Sequence, residues 1–269
     1  MLPIPTAHAD WLRRSYCSPQ TGFAFDAMLA GNSPAEIFVG AEGPPFVSLL
    51  WDRGHGFYFG SETANAAQRR AAVRFFRDQL LEPLRDRGPW PAKIHYPSQG
   101  WRDILLEELR EFRPAIVWRS LYRHELRAIP AVAPPLVGIA IRPIDDELLG
   151  SARLGNVELL TAEVSSMWGT ARKFLESGFG YCAVAGSDIA GWCTAEYMSD
   201  RSCGIGIETV EPYQKQGIAT ATALVFLERC TQLHVAPYWD SWHSNVASIR
   251  VAEKAGFTKL LDYSVVFLP

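Results

Sequence analysis

Apolar positions along the chain follow two different periods, and the places where the period changes mark its elements. From Ala35 onward the short apolar runs Ile37–Val39, Phe46–Trp51 and Gly56–Phe59 read as three strands, the last two joined by a turn at Asp52-Arg53-Gly54-His55. Residues Ala64–Leu81 switch to helical spacing, with Ala67, Ala71 and Phe75 beside Val73, Phe76 and Leu80, and Pro83 is expected to end that helix. A strand at Ala92–Tyr96, a helix at Trp101–Glu111 entered after Ser98, and a long strand at Ile116–Leu126 follow. Before Ala35 the pattern predicts only short helices around Ala7–Tyr16 and Phe23–Leu29.

Pro130, Pro134 and Pro135 then interrupt the text, and Ala128–Val137 can be neither helix nor central strand, which predicts an interdomain linker. Beyond it come a strand at Gly138–Arg142, one or two helices within Asp145–Trp168 and a helical turn at Ala171–Ser177. A hairpin of Gly180–Ala185 and Ile189–Met198 precedes a strand at Cys203–Val210. A loop feeds a helix that starts near Ile218; a strand at Ala236–Trp242, a helix at Asn245–Ala255 and a strand at Tyr263–Leu268 close the chain. Both halves end in the same order: three strands, helix, strand, helix, strand. A mixed-sheet α/β fold is expected, with residues 1–127 as an N-terminal domain, 128–137 as linker and 138–269 as a second domain. The repeated order further predicts a duplication whose first copy is degenerate, the N-terminal half then shaping an acceptor pocket.

Composition narrows the class. A chain of 269 residues, 48% hydrophobic and 20% charged, can bury a sizeable core. The net charge of −3 argues against nonspecific nucleic-acid binding, and it is uneven: +2 for residues 1–137 and −5 for 138–269. An acidic second half suits a cationic acceptor. Five cysteines form no C-x-x-C pair, the six histidines show no metal-ligand spacing, and no apolar run approaches a membrane span of ~18 residues. Buried thiols, no metal, no membrane partner and a cytoplasmic location are the expectations.

The chemistry concentrates at one stretch. In Ile205–Ala219 a strand ends in a Pro-marked turn, and Gln214-Lys215-Gln216-Gly217-Ile218-Ala219 leads into a helix. A helix N-terminus presents unpaired N–H groups at the positive end of its dipole, a ready site for a diphosphate. Gly217 keeps side-chain bulk away from that anion. The spacing Q-x-x-G-x-A, followed by Tyr238-Trp239-Asp240, Asn245, Ser248 and then Glu253-Lys254-Ala255-Gly256-Phe257, resembles the GNAT acyltransferase superfamily, and most of all its zwittermicin A self-resistance acetyltransferase subgroup. The resemblance implies a GNAT fold for the C-terminal half, a degenerate GNAT-like N-terminal half, and acetyl-CoA as cofactor. It also implies that the strand before the glycine loop bulges and splays from the next one, between Ile205–Val210 and Tyr238–Trp242, to take the pantetheine arm.

By that resemblance, backbone groups of Thr209 and Val210 bind the thioester arm and an N–H there faces the oxyanion. Gln214, Lys215, Gln216, Gly217, Ile218, Ala219 and Thr220 hold the pyrophosphate, and Asn245 and Ser248 lie near the coenzyme. Glu208, a carboxylate in an apolar strand, is the candidate general base, burial there being expected to raise its pKa. Glu196 and Asp240 are its rivals, and Asp240 between Trp239 and Trp242 is alternatively an anchor for a cationic acceptor, with Tyr238 and Trp242 lining the pocket. Asn245 also reads as a helix N-cap. Ala252 stands where many members of the superfamily carry a tyrosine that protonates the thiolate; Ser248, one turn earlier, is the substitute donor. His243 and His234 have no carboxylate at a diagnostic spacing.

The expected activity is an acetyl-CoA-dependent N-acetyltransferase acting on the primary amine of a small molecule by direct transfer, with a homodimer as a further expectation. The alternatives are transfer to a protein amine and a coenzyme A-binding sensor without turnover.

Overall fold

The computed structural model describes residues 1–40, 47–53, 55–61, 63–85, 91–126 and 136–269. The turn at Gly54 and linker residues 128–135 lie outside them. The chain forms two compact units, Met1–Arg119 with Tyr263–Pro269, and Ser120–Asp262.

The first unit builds a sheet from β1 (Leu2–Ile4), β2 (Ala35–Val39), β3 (Ser48–Asp52), β4 (Gly56–Gly60), β5 (Ala92–His95) and the end of the last strand of the chain, in that order. β1 was not legible from the sequence; its three residues pair with β2, Leu2 opposite Val39. Strands β2 to β4 are antiparallel, whereas β5 runs parallel to β4 with Phe57 opposite Ile94 and Tyr58 opposite His95. One face carries Leu49, Phe57, Phe59, Ile94 and Val266 and is packed by Val73, Phe76, Trp101 and Leu105 from two helices. These helices are α2 (Ala66–Phe76) and, after a short α3 (Glu82–Arg85), α4 (Gln99–Glu108). α1 (Pro19–Leu29) precedes β2.

Pro83 does not end the helix that begins at α2. The backbone stays helical through a π-helical stretch at Arg77–Leu81, where the Glu82 N–H reaches the Arg77 carbonyl, and into α3, which contains the ring. Asn65 caps α2 through a reciprocal pair: its side chain accepts from the Gln68 N–H, and the Gln68 side chain accepts from the Asn65 N–H, both at 3.0 Å.

The second unit begins within β6 (Ala115–Arg123). That strand ends three residues short of Leu126 because Leu126 adopts φ 57° and donates its N–H to the His124 ring. After β7 (Ile139–Pro143) come α5 (Asp146–Leu149), α6 (Val157–Trp168), α7 (Ala171–Ser177), β8 (Gly180–Ala185), β9 (Asp188–Glu196) and β10 (Ser202–Thr209). Then follow α8 (Ile218–Leu233), β11 (Ala236–Trp242), α9 (Val246–Lys254) and β12 (Thr258–Leu268). The strand order is β6-β11-β10-β9-β8-β7. β8 to β10 are antiparallel and β11 runs parallel to β10, the same arrangement as β2 to β5. α8 and α9 cover one face, where Leu224, Leu227, Trp239, Ala252 and Phe257 pack with Ile205 and Ile207. β12 starts five residues earlier than expected, and its end returns to the first unit, Val266 pairing with Ile94.

Four of the five cysteines are buried and Cys17 is exposed. His243 does have a carboxylate partner, which sequence spacing could not reveal because it comes from β12. Its Nδ1 lies 3.4 Å from Asp262, which also accepts from Ser120 Oγ at 2.6 Å and pairs with Lys259 at 2.7 Å. Burial opposes ionisation of Asp262, but the bonds from Lys259 and Ser120 and the nearby positive charges outweigh it and hold the carboxyl below its ordinary value.

Two predictions follow from these contacts. Asn65→Ala should lower stability by about 1 kcal/mol, a fall in Tm of about 2–4 °C by calorimetry. Because the folded pKa of Asp262 is depressed, its contribution is full above the unfolded value and is lost as pH falls through the folded one. Asp262→Asn should therefore melt below wild type at neutral pH, with the gap closing towards about pH 3; a gap independent of pH would contradict this.

Candidate active site

The strand β10 is paired on both sides at its start and on one side at its end. Ser202, Cys203 and Gly204 face Ala236, Pro237 and Tyr238 of β11, and there the parallel pairing stops. On the other edge β10 stays in register with β9 from Gly204–Glu196 through Thr209–Gly191, and the Val210 N–H continues to the Ala190 carbonyl at 2.9 Å. The two strands thus part between Ile205–Thr209 and Trp239–Trp242, where the resemblance puts the splay. They do so without a bulge in β10, since its unbroken ladder with β9 leaves the parting to β11.

This ladder revises the backbone groups expected at the site. Both polar groups of Val210 are used, the N–H by Ala190 and the carbonyl by the Tyr213 N–H at 2.8 Å. Alternation along the strand turns the Ile207 and Thr209 N–H groups away from β9 and towards the parting. The Thr209 carbonyl accepts from the Gln214 side chain at 3.1 Å, and the Thr209 hydroxyl is buried without a hydrogen-bond partner among the described residues.

At the end of the parting strand a 3-10 turn, Glu211–Tyr213, leads to the exposed residues Gln214–Gly217 and into α8. Gly217 is the N-cap of α8, with φ 87° and no side-chain cap. Lys215 is left-handed too, at φ 63°. A loop of alternating handedness turns successive N–H groups inward, making a concavity for an anion. The Ile218, Ala219 and Thr220 N–H groups belong to the first turn, which has no intrahelical acceptors. A Cβ on Gly217 would meet little (Leu136 Cδ2 at 3.7 Å), so glycine is required there by its positive φ more than by space. The Gln216 side chain bonds the Pro212 carbonyl at 3.4 Å. A diphosphate with its pantetheine arm fits this combination of unpaired amides and a one-sided strand.

The other face of the same strands carries the carboxylates. Since Ile205 and Ile207 face α8, alternation puts Gly204, Gly206 and Glu208 on the opposite face, with Trp192, Thr194 and Glu196 of β9. The register Gly204–Tyr238 adds Tyr238, Asp240 and Trp242. Trp239 does not flank Asp240: it lies on the α8 side, 2% exposed, and its indole donates to Ser248 Oγ at 2.9 Å. The Arg123 guanidinium stands 5.8 Å over the Tyr238 ring. Glu196 sits so close over Gly206 that any Cβ there would collide with its carboxylate and with the Thr194 hydroxyl.

Glu208 is exposed, which removes the burial on which its candidacy as base rested. Burial acts instead on Glu163 of α6, absent from the sequence reading because nothing in the spacing of a helix reveals which strand it covers. Desolvation, and then the charge of Glu208, raise the Glu163 carboxyl above its ordinary value. Ser248 keeps its hydroxyl proton while accepting from Trp239, and its N–H is capped by the Asn245 side chain at 3.1 Å, as the N-cap reading required. Ala252 is fully buried against Trp239 and Phe257.

Among the described residues no group of three or more metal-ligating side chains occurs, and no helix is long and apolar enough to cross a membrane.

Comparison with known proteins agrees with this geometry. Residues 99–266 match the family model described as GNAT acetyltransferase. An uncharacterized N-acetyltransferase, YdfB, of Bacillus subtilis (strain 168) is 23% identical over 166 residues, spanning 62% of this chain and 60% of that protein. The structure of a GCN5-related N-acetyltransferase-like protein from Streptococcus suis 89/1591 superposes with a TM-score of 0.66 at 18% identity, covering 96% of this chain and 98% of that one. A tandem GNAT protein from the clavulanic acid biosynthesis pathway matches at a TM-score of 0.58 and 14% identity over 99% of this chain and 96% of its own. The fold is therefore a tandem GNAT fold, and the chain belongs to the GNAT acetyltransferase family.

Proposed function

We propose that this protein transfers an acetyl group from acetyl-CoA to a primary amine of a small molecule, directly and within a ternary complex. The observation that carries the reading is the parting of β10 from β11 beside a helix end that no side chain caps. The first-turn amides of α8, with Gln214, Lys215 and Gln216 at the mouth, would hold the diphosphate, and the Ile207 and Thr209 N–H groups would line the arm. Acetyl-CoA supplies an activated acyl group: the neutral amine nitrogen would bond the carbonyl carbon and lose one proton, and the C–S bond would break to a thiolate that takes up one proton. A Thr209-side N–H stabilises the oxyanion, Glu208 takes the proton that nitrogen loses as the amide forms and returns it to water, and Ser248 gives the thiolate a proton and regains one from water.

The face bearing Glu196, Glu208, Tyr238, Asp240 and Trp242 supports a cationic acceptor, in keeping with the net −5 of residues 138–269. The subgroup resemblance supports an aminopolyol. The domain assignment, residues 1–127 as a degenerate copy and 138–269 as the catalytic domain, belongs to the same reading, with Ser120–Arg123 joining the second compact unit and Tyr263–Pro269 the first. It is supported by the contrast between Asn65, which caps α2 with its own side chain, and Gly217, which does not cap α8. In the first unit the face equivalent to the acceptor side is filled by buried Tyr16, Tyr58 and His95, the last two stacked at 4.3 Å.

Gly217→Asp tests the reading. The carboxylate would stand at the mouth of α8 and repel the diphosphate, so the Kd for acetyl-CoA should rise roughly 100-fold, about 2–3 kcal/mol, while the left-handed backbone at this position lowers the Tm by about 2–4 °C without unfolding the protein. Undiminished binding by calorimetry would refute the diphosphate site. Thiol release from acetyl-CoA across a panel of amines tests turnover; binding without release under every amine would favour a sensor.

A further inference from the structure

α6 is fastened along β9 at both ends. The Asn156 side chain, at its N-cap, donates to the Ile189 carbonyl at 3.0 Å, and the Trp168 indole, at its last residue, donates to the Ala195 carbonyl at 2.9 Å. The helix thus runs alongside Ile189–Ala195, and Glu163, just past its middle, falls level with Trp192 and Cys193. In the β9–β10 register Trp192 is the partner of Glu208. Two carboxylates that are 45 residues apart in sequence are in this way brought together on the face opposite α8, where β10 has parted from β11. Trp192 itself is 2% exposed, and its indole N–H has no hydrogen-bond partner among the described residues.

We propose that Glu163 is a second catalytic carboxylate: with Glu208 it receives the acceptor as an ammonium and takes the proton that frees its nitrogen. This rests on the acetyltransferase reading above. Exposed Glu208 meets the incoming cation, and half-buried Glu163 accepts the ammonium's proton before attack, leaving Glu208 to take the one lost as the amide forms. One N–H bond of the ammonium breaks, its proton passes to a Glu163 carboxylate oxygen, and the products are a neutral amine and a neutral carboxylic acid that later returns the proton to water. Geometry and charge agree here. A carboxylate held above its ordinary pKa by burial and by Glu208, the charged group facing it from β10, is a stronger base, and neutralising it relieves repulsion instead of creating it.

A group whose proton is bound more tightly in the folded state costs stability at high pH, so its removal stabilises the fold. Glu163→Gln should raise the Tm at about pH 8 by about 2 °C and Glu208→Gln by less, since burial as well as repulsion is relieved at Glu163, with the double variant gaining little over Glu163→Gln. In parallel, kcat/KM for the best of spermidine, 1,4-diaminobutane and glucosamine should fall roughly 100-fold in Glu163→Gln, with the acetyl-CoA Kd unchanged and the pH–rate profile losing its acidic limb. A wild-type rate and profile in Glu163→Gln, or Tm effects that are absent or simply additive, would overturn the pair while leaving the acetyltransferase reading intact. Wild-type protein that binds acetyl-CoA but releases no thiol with any amine would overturn the acetyltransferase reading, and the catalytic role of Glu163 with it.

Discussion

The site depends on a helix end that the protein leaves unsatisfied. Every helix begins with N–H groups lacking intrahelical acceptors, and most chains supply a side chain to meet them. α2 does so with Asn65 and Gln68, whereas α8 begins at a glycine with φ 87° that has no side chain to offer. The loop before it contains a second left-handed residue, Lys215, a conformation that costs a non-glycine residue roughly 1–2 kcal/mol. The remaining features follow from that choice: Val210 and Tyr213 close the turn, and Ile218 buries itself against Ala183 and Ala190 to fix where α8 starts.

On the proposed reading the same strand serves both reactants. Its ladder to β9 is continuous, so β10 is rigid on that edge, and its freed edge exposes backbone amides where β11 turns away. Alternation then sorts the side chains. Ile205 and Ile207 go to the α8 core, and Glu208 goes to the opposite face with Glu196, Tyr238 and Asp240. On the proposed reading, a period of two thereby separates the helix that would hold the cofactor from the carboxylates that would receive the acceptor.

Much of this was legible in the sequence. The strand–loop–helix at Ile205–Leu233, the parallel strand Ala236–Trp242 and the Asn245 cap are set by local signals: a glycine at a turn, a polar cap, a clean period. What the sequence hid is long-range. Asp262 reaching His243, Asn156 and Trp168 fixing α6 on β9, and hence Glu163 beside Glu208, depend on packing that no spacing encodes. Glu208 is exposed although Gly204 and Gly206 on the same face are buried, because it lies near the end of β10, beyond the last residue paired with β11, which sequence alternation does not reveal. Adjacency in sequence sets Trp239 beside Asp240, but neighbours in a strand point to opposite sides, and Trp239 faces the α8 core.

The most direct measurement is an amide-resolved NMR titration of the protein with coenzyme A. If the uncapped helix end holds the diphosphate, the N–H resonances of Gly217, Ile218, Ala219 and Thr220 should move first and furthest, while those of Ala66, Ala67 and Gln68 at the capped start of α2 stay in place. Unmoved resonances at Gly217–Thr220, or larger movements at the start of α2, would contradict the account.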